Sequence, residues 1–102
     1  MSAVRHLAAG VDPGIPLALS ATRGERHYDG ELVTELHGKV EITLDGDRME
    51  RVVSYDVPRG VIVRQRRDWR GRTLVGEDGA AAIEQLEGRI EVRWLPGKDP
   101  RA

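Results

Sequence analysis

Along the clearest parts of this chain apolar and polar residues alternate with a period of two, the pattern of half-buried β-strands. In Lys39-Val40-Glu41-Ile42-Thr43-Leu44, the side chains of Val40, Ile42 and Leu44 fall on one face. Arg89-Ile90-Glu91-Val92-Arg93-Trp94 does the same with Ile90, Val92 and Trp94. These six residues are the expected core, with Lys39, Glu41, Arg89 and Arg93 facing solvent. Asp45-Gly46 predicts a tight hairpin turn, because glycine tolerates the positive φ that such turns require. A returning strand is expected from Arg48 to Val57, carrying Met49, Val53, Tyr55 and Val57 on one side. Pro58-Arg59-Gly60 ends it, and Val61-Ile62-Val63-Arg64 opens the next.

Two octapeptides resemble each other. Glu35-Leu36-His37-Gly38-Lys39-Val40-Glu41-Ile42 matches Gln85-Leu86-Glu87-Gly88-Arg89-Ile90-Glu91-Val92 in Leu, Gly and Glu, with close exchanges between. Upstream, Asp29-Gly30 answers Asp78-Gly79, Arg23-Gly24 answers Arg70-Gly71, and Pro13-Gly14 loosely answers Arg59-Gly60. One reading is an internal duplication relating residues 15–44 to 61–95, which places a strand near 31–36 and another near 80–87. The other is that β proteins reuse glycine turns and alternating Val and Ile. Residues 80–87 also have helix-forming composition, with Ala82, Ile83 and Leu86 spaced for one helical face. The strand reading is preferred there. Residues 1–14 read as a lead-in arm and 96–102 as a frayed tail.

At 102 residues the chain makes one domain. Aromatic residues are few and Phe is absent, so the core must be mostly Val, Ile, Leu and Ala. With no cysteine, disulfides and thiolate metal sites are excluded. No apolar run reaches a membrane-spanning length, and the start lacks a signal-peptide block, so a cytoplasmic protein is expected. The expected fold is all-β, a small barrel or two-sheet sandwich of about seven to nine antiparallel strands.

Catalytic machinery is not recognisable. Ser2, Ser20 and Ser54 sit in no nucleophile elbow. His27, Asp29 and Glu31 would align on one strand as metal ligands, but Asp29-Gly30 reads as a turn that scatters them into a solvated hairpin. Asp45, Asp47 and Glu50 are a fragment of a calcium loop without the remaining ligands. Glu84, Glu87 and Glu91 are acid–base candidates only inside a cleft; surface charge is the expectation. The glycines form no phosphate-binding pattern. No enzyme, cofactor, metal or small-molecule substrate is expected.

Charge supplies the remaining signal. Net charge is −1 overall, yet residues 59–72 hold six arginines, at 59, 64, 66, 67, 70 and 72, against Asp68 alone. Arginine forks suit phosphate or carboxylate, and Trp69 within the segment could stack on a base or anchor an interface. Arg64, Arg66, Arg67, Trp69, Arg70 and Arg72 are therefore the candidate interaction residues. The competing reading is a solvated strand and turn whose arginines pair with glutamates on neighbouring strands.

Residues 44–94 resemble small uncharacterised β-rich proteins encoded by bacteriophages and prophages. The resemblance rests on Asp45-Gly46, Val52-Val53-Ser54-Tyr55-Asp56, Gly60-Val61, Asp68 with Gly71-Arg72, and the run from Leu86 to Trp94. It implies a virion component or an accessory protein, located in host cytoplasm or particle, and no catalytic residues. The expected function is a non-catalytic structural or protein-interaction module that binds a protein partner or associates with itself as a homo-oligomer. Nucleic-acid binding by the arginine segment is the alternative; overall acidity weighs against it. A small enzyme with an unrecognised site ranks third.

Overall fold

The computed structural model describes residues 10–66, 70, 72, 74–75 and 82–100. In chain order these form β1 (Ala18–Ser20), helix α1 (Gly30–Leu36), β2 (Val40–Leu44), β3 (Asp47–Met49), β4 (Val52–Asp56), β5 (Val61–Gln65), β6 (Ile83–Glu87) and β7 (Ile90–Trp94). The strands build two antiparallel sheets, ordered β1-β4-β5-β6 and β3-β2-β7. Among the described residues the sheets form a two-layer sandwich and close no barrel, so the β-rich expectation holds, with one short helix added.

Register explains where the core sits. Leu19 opposes Tyr55, Tyr55 opposes Ile62, and Ile62 opposes Leu86, so one apolar row crosses the four-stranded sheet. In the other sheet Met49 opposes Ile42, Ile42 opposes Val92, and Val92 bridges Val11. All eight belong to one apolar cluster. Ile62 and Val92, in the middle of their rows, have no solvent exposure. Tyr55 is buried too, and its hydroxyl donates to the Pro16 carbonyl at 2.7 Å. Burial raises its pKa well above the ordinary tyrosine value.

Of the six expected core residues, Leu44, Ile90 and Val92 are buried, while Val40, Ile42 and Trp94 are half-buried. Trp94 ends its strand, and its ring lies over Gly14, where a Cβ would stand 3.5 Å from Cζ2. Its indole Nε1 donates to the Pro13 carbonyl at 2.8 Å. Arg93, expected in solvent, is half-buried because the Asp12 carboxylate accepts from its Nη1 (3.2 Å) as well as from the Trp94 amide (2.9 Å). Glu41 is half-buried as well, whereas Lys39 and Arg89 are exposed. The arm is thus built into the fold from Gly10 onward: the Val92 amide donates to Gly10 and the Asp12 amide to Val92. Residues 1–9 of the arm and 101–102 of the tail lie outside the described residues.

Four expectations are corrected. The strand expected from Arg48 to Val57 is two strands in different sheets, broken at Glu50 and Arg51. Arg51 has φ +59°, a left-handed conformation that carries the chain across. The strand expected near 31–36 is α1: the Asp29 carboxylate caps it by accepting from the Leu32 amide at 3.1 Å. Leu32, Val33 and Leu36 then share its inward face, and Gly38, at φ +76°, follows its end. The same cap replaces the hairpin expected around His27, Asp29 and Glu31. The duplication fails on this helix, because the matching residues 83–87 are strand, and Gly88 lacks the positive φ of Gly38. The two similar segments pair instead with each other, as β2 and β7.

One end of the sandwich is locked. Asp45 (φ +51°) and Gly46 (φ +90°) make the expected hairpin turn. The Asp45 amide donates to the Arg89 carbonyl, and the Arg89 amide donates to the Asp45 carboxylate, both at 2.8 Å. Gly88 lies between this carboxylate and Gly60: its amide donates to the Gly60 carbonyl at 2.9 Å. A Cβ on Gly88 would meet Asp45 Oδ2 at 2.5 Å, so a larger residue would displace this carboxylate as the chain passes from β6 to β7.

Two outcomes follow for stability. Gly88→Ala should cost about 1–3 kcal/mol by overpacking, and most of that cost should vanish in an Asp45→Gly background, as a denaturation double-mutant cycle would show. Tyr55 contributes stability that is fully present below about pH 10 and is lost as pH rises further, because its folded pKa is raised. Tyr55→Phe should cost roughly 1 kcal/mol at neutral pH and flatten the alkaline decline in melting temperature.

Candidate functional site: an arginine-rimmed cleft

Opposite the locked end the sheets, among the described residues, leave hollows between them. On β5 the residue two beyond Ile62 on the inward face is Arg64, directly opposite Glu84 of β6. Apolar packing therefore gives way to an ion pair: Arg64 Nε donates to Glu84 Oε2 at 2.7 Å. The Arg64 Nη1 reaches Met49 Sδ, at 3.4 Å, on the facing sheet. Arg66 follows β5, and its Nε lies 3.9 Å from Glu84 Oε1. Both arginines thus pair with a glutamate on the neighbouring strand, as the solvated-strand reading expects.

Three further arginines of residues 59–72 are described. Arg59 is in the β4–β5 turn at the locked end, where its amide donates to the Asp56 carboxylate. Arg70 and Arg72 are exposed. Arg67 and Trp69 lie outside the described residues.

Next to Arg64, a cleft of about 710 Å³ opens between β2–β3 and β4, floored by α1. Val33, Leu36, Val40, Met49, Val53 and Tyr55 give it an apolar lining. A second, polar hollow of about 490 Å³ contains Arg64, Arg66 and Glu84, and shares Arg48, Glu50 and Gln65 with the first. An apolar floor thus runs into a rim bearing Arg48, Arg51, Arg64 and Arg66 against Glu41, Glu50 and Glu84. Glu84 is taken by Arg64, and Glu41 lies 3.9 Å from Arg48. Arg51 donates to the Gln65 amide oxygen at 3.4 Å and, among the described residues, pairs with no carboxylate.

Among the described residues no serine hydroxyl hydrogen-bonds to a histidine. Ser20 Oγ is buried, donating to Glu25 and accepting from the Thr22 amide. Glu84, Glu87 and Glu91 are dispersed over the inward side of β6, its outward side, and β7 beside Arg93. Among the described residues no three potential ligands gather for a metal ion, and no helix is long and apolar enough to cross a membrane.

Sequence reasoning passed over Arg48, Arg51 and the helix face that floors the cleft. A signal existed: position 51 shares its parity with Met49 and Val53, so an arginine there contradicts a continuous strand with one buried face. No protein-family description, curated protein or solved structure matches the chain.

A non-glycine residue in the left-handed region costs roughly 1–2 kcal/mol, while the extra unfolded-state freedom of glycine offsets up to about 1 kcal/mol. Arg51→Gly should accordingly leave stability unchanged or raise it by up to about 1 kcal/mol in chemical denaturation. A loss larger than that would make the arginine a structural tie rather than a surface group.

Proposed function

We propose that this chain is a non-catalytic protein-interaction module that holds an apolar, carboxylate-bearing segment of a protein partner in the arginine-rimmed cleft. The observation that supports it most is the junction of apolar floor and arginine rim at the end where the sheets fail to close. Apolar side chains of the partner would contact Val33, Val40 and Val53, and a carboxylate would meet Arg51, whose guanidinium spends one donor on a neutral amide. Contact of this kind agrees with the resemblance of residues 44–94 to small phage-encoded proteins, and so with a virion component or accessory protein acting in host cytoplasm or particle. Nucleic-acid binding ranks below it, because Arg64 and Arg66 share Glu84.

Titration calorimetry tests this with synthetic peptides alternating valine with glutamate, the same peptides carrying lysine for glutamate, and mixed-sequence DNA. The glutamate peptide should bind, the lysine peptide should not, and Arg51→Glu should weaken binding by about tenfold, or 1.4 kcal/mol. Amide shifts on binding should cluster at Val33, Val40, Met49 and Val53. DNA affinity that falls steeply with salt and is lost in Arg64→Ala/Arg66→Ala would replace this reading. Failure of both peptides to bind would remove the cleft as the working surface.

A further inference from the structure

We propose that two copies of this chain associate through the outer edge of β6, pairing antiparallel about a two-fold axis at Gln85. A sheet edge exposes unpaired N–H and C=O groups, and native proteins cover, shorten or interrupt such edges. Among the described residues three of the four sheet edges are managed. The outer side of β7 is covered by Gly10 to Asp12. At β1 the following loop returns, so that the Ser20 amide donates to His27 and the Asp29 amide to Ser20. β3 is three residues long, two of them the charged Asp47 and Arg48.

β6 differs. It has five residues, no proline and no lysine, and among the described residues β5 is its only strand neighbour. The ladder sets which of its groups point outward. Gly88 donates to Gly60, and Arg66 donates to Ala82, so the even-numbered residues of β6 bond to β5. On β5 the Gln65 amide donates the other way, to Arg51 of the chain leading into β4. The N–H and C=O groups of Ile83, Gln85 and Glu87 therefore point away from the sheet, six hydrogen-bonding groups in one line.

This strand is complementary to itself. Antiparallel pairing centred on Gln85 puts Ile83 opposite Glu87 of the second copy and Glu84 opposite its Leu86, so no like charges face each other directly. Ile83, which is 59% exposed, would be covered at each end of the new ladder. Glu84 keeps its side chain on the inward face with Arg64, so the pairing neither uses nor needs the cleft. The product is one continuous eight-stranded sheet with an isologous interface.

Sedimentation equilibrium across a concentration series, joined to residue-resolved amide exchange, tests the proposal on the intact chain. The mass should approach twice that of one chain as concentration rises. Over the same series the amides of Ile83, Gln85 and Glu87 should gain protection, while those of Glu84 and Leu86 stay protected throughout. Gln85→Pro removes one outward donor without touching the β5 ladder, and Ile83→Lys places a charge on the edge. Each should leave a monomer with an unchanged β-type circular dichroism spectrum. A wild type that stays monomeric overturns the proposal, as does a dimer in which the three outward amides exchange as fast as in the dilute protein. A dimer that survives Ile83→Lys at wild-type affinity overturns it too. Peptide capture by the cleft should persist in both monomeric variants, which separates this surface from that one.

Discussion

Everything in this fold depends on two apolar rows meeting face to face: Leu19-Tyr55-Ile62-Leu86 from one sheet, and Met49-Ile42-Val92-Val11 from the other. Each row has a fully buried side chain near its middle, Ile62 in one and Val92 in the other, and neither sheet can shield its row alone. The strands, three to five residues long, are divided between the two sheets as β1, β2–β3, β4–β6 and β7, so the chain crosses between layers several times. Two crossings are sharp, and they use opposite solutions. At Gly88 a Cβ would run into the Asp45 carboxylate, and a Cβ on Gly60 would stand 2.8 Å from the Gly88 carbonyl oxygen. At Arg51 a left-handed residue turns the chain where there is room for a long side chain outside.

That difference produces the two ends of the molecule. Where Gly60, Gly88 and Asp45 interlock, the turns of both sheets are joined by backbone hydrogen bonds and the layers are held together. At the other end the row beyond Ile62 and Leu86 is Arg64 and Glu84, and the space between the layers stays open. A pair with about a third of each side chain exposed contributes little to stability, about 0–1 kcal/mol. An apolar pair at the same positions would close the core more cheaply. Charge at a site where packing would favour a hydrophobe, beside a strained arginine and an apolar hollow, is the reason the recognition reading rests on this end.

Edges make the same argument from the backbone. The chain spends Gly10 to Asp12 covering β7 and the 20–29 loop covering β1, yet β6 keeps an outward row of donors and acceptors among the described residues. In so small a core, with eight buried apolar residues among those described, added sheet area is a direct route to more burial.

Much of this was legible in the alternation. The period of two located β2 and β7, the apolar run Val61-Ile62-Val63 located β5, and Asp45-Gly46 and Pro58-Arg59-Gly60 located turns, because these signals are local. What was lost had non-local causes. The similarity of residues 35–42 to 85–92 suggested equal structures, but the Asp29 carboxylate accepts from the Leu32 amide at the start of a helix, whereas residues 83–87 are strand. A side-chain-to-backbone bond of that kind, followed by apolar residues at 32, 33 and 36, decides helix over strand. The break at Arg51 was visible as a polar residue at an inward position, and the way to read it was as a crossing between sheets. The cleft was the least legible feature. Its floor, Val33 and Leu36, belongs to that helix, and its rim, Arg51, to that crossing, so reading either one as a continuous strand removes the site.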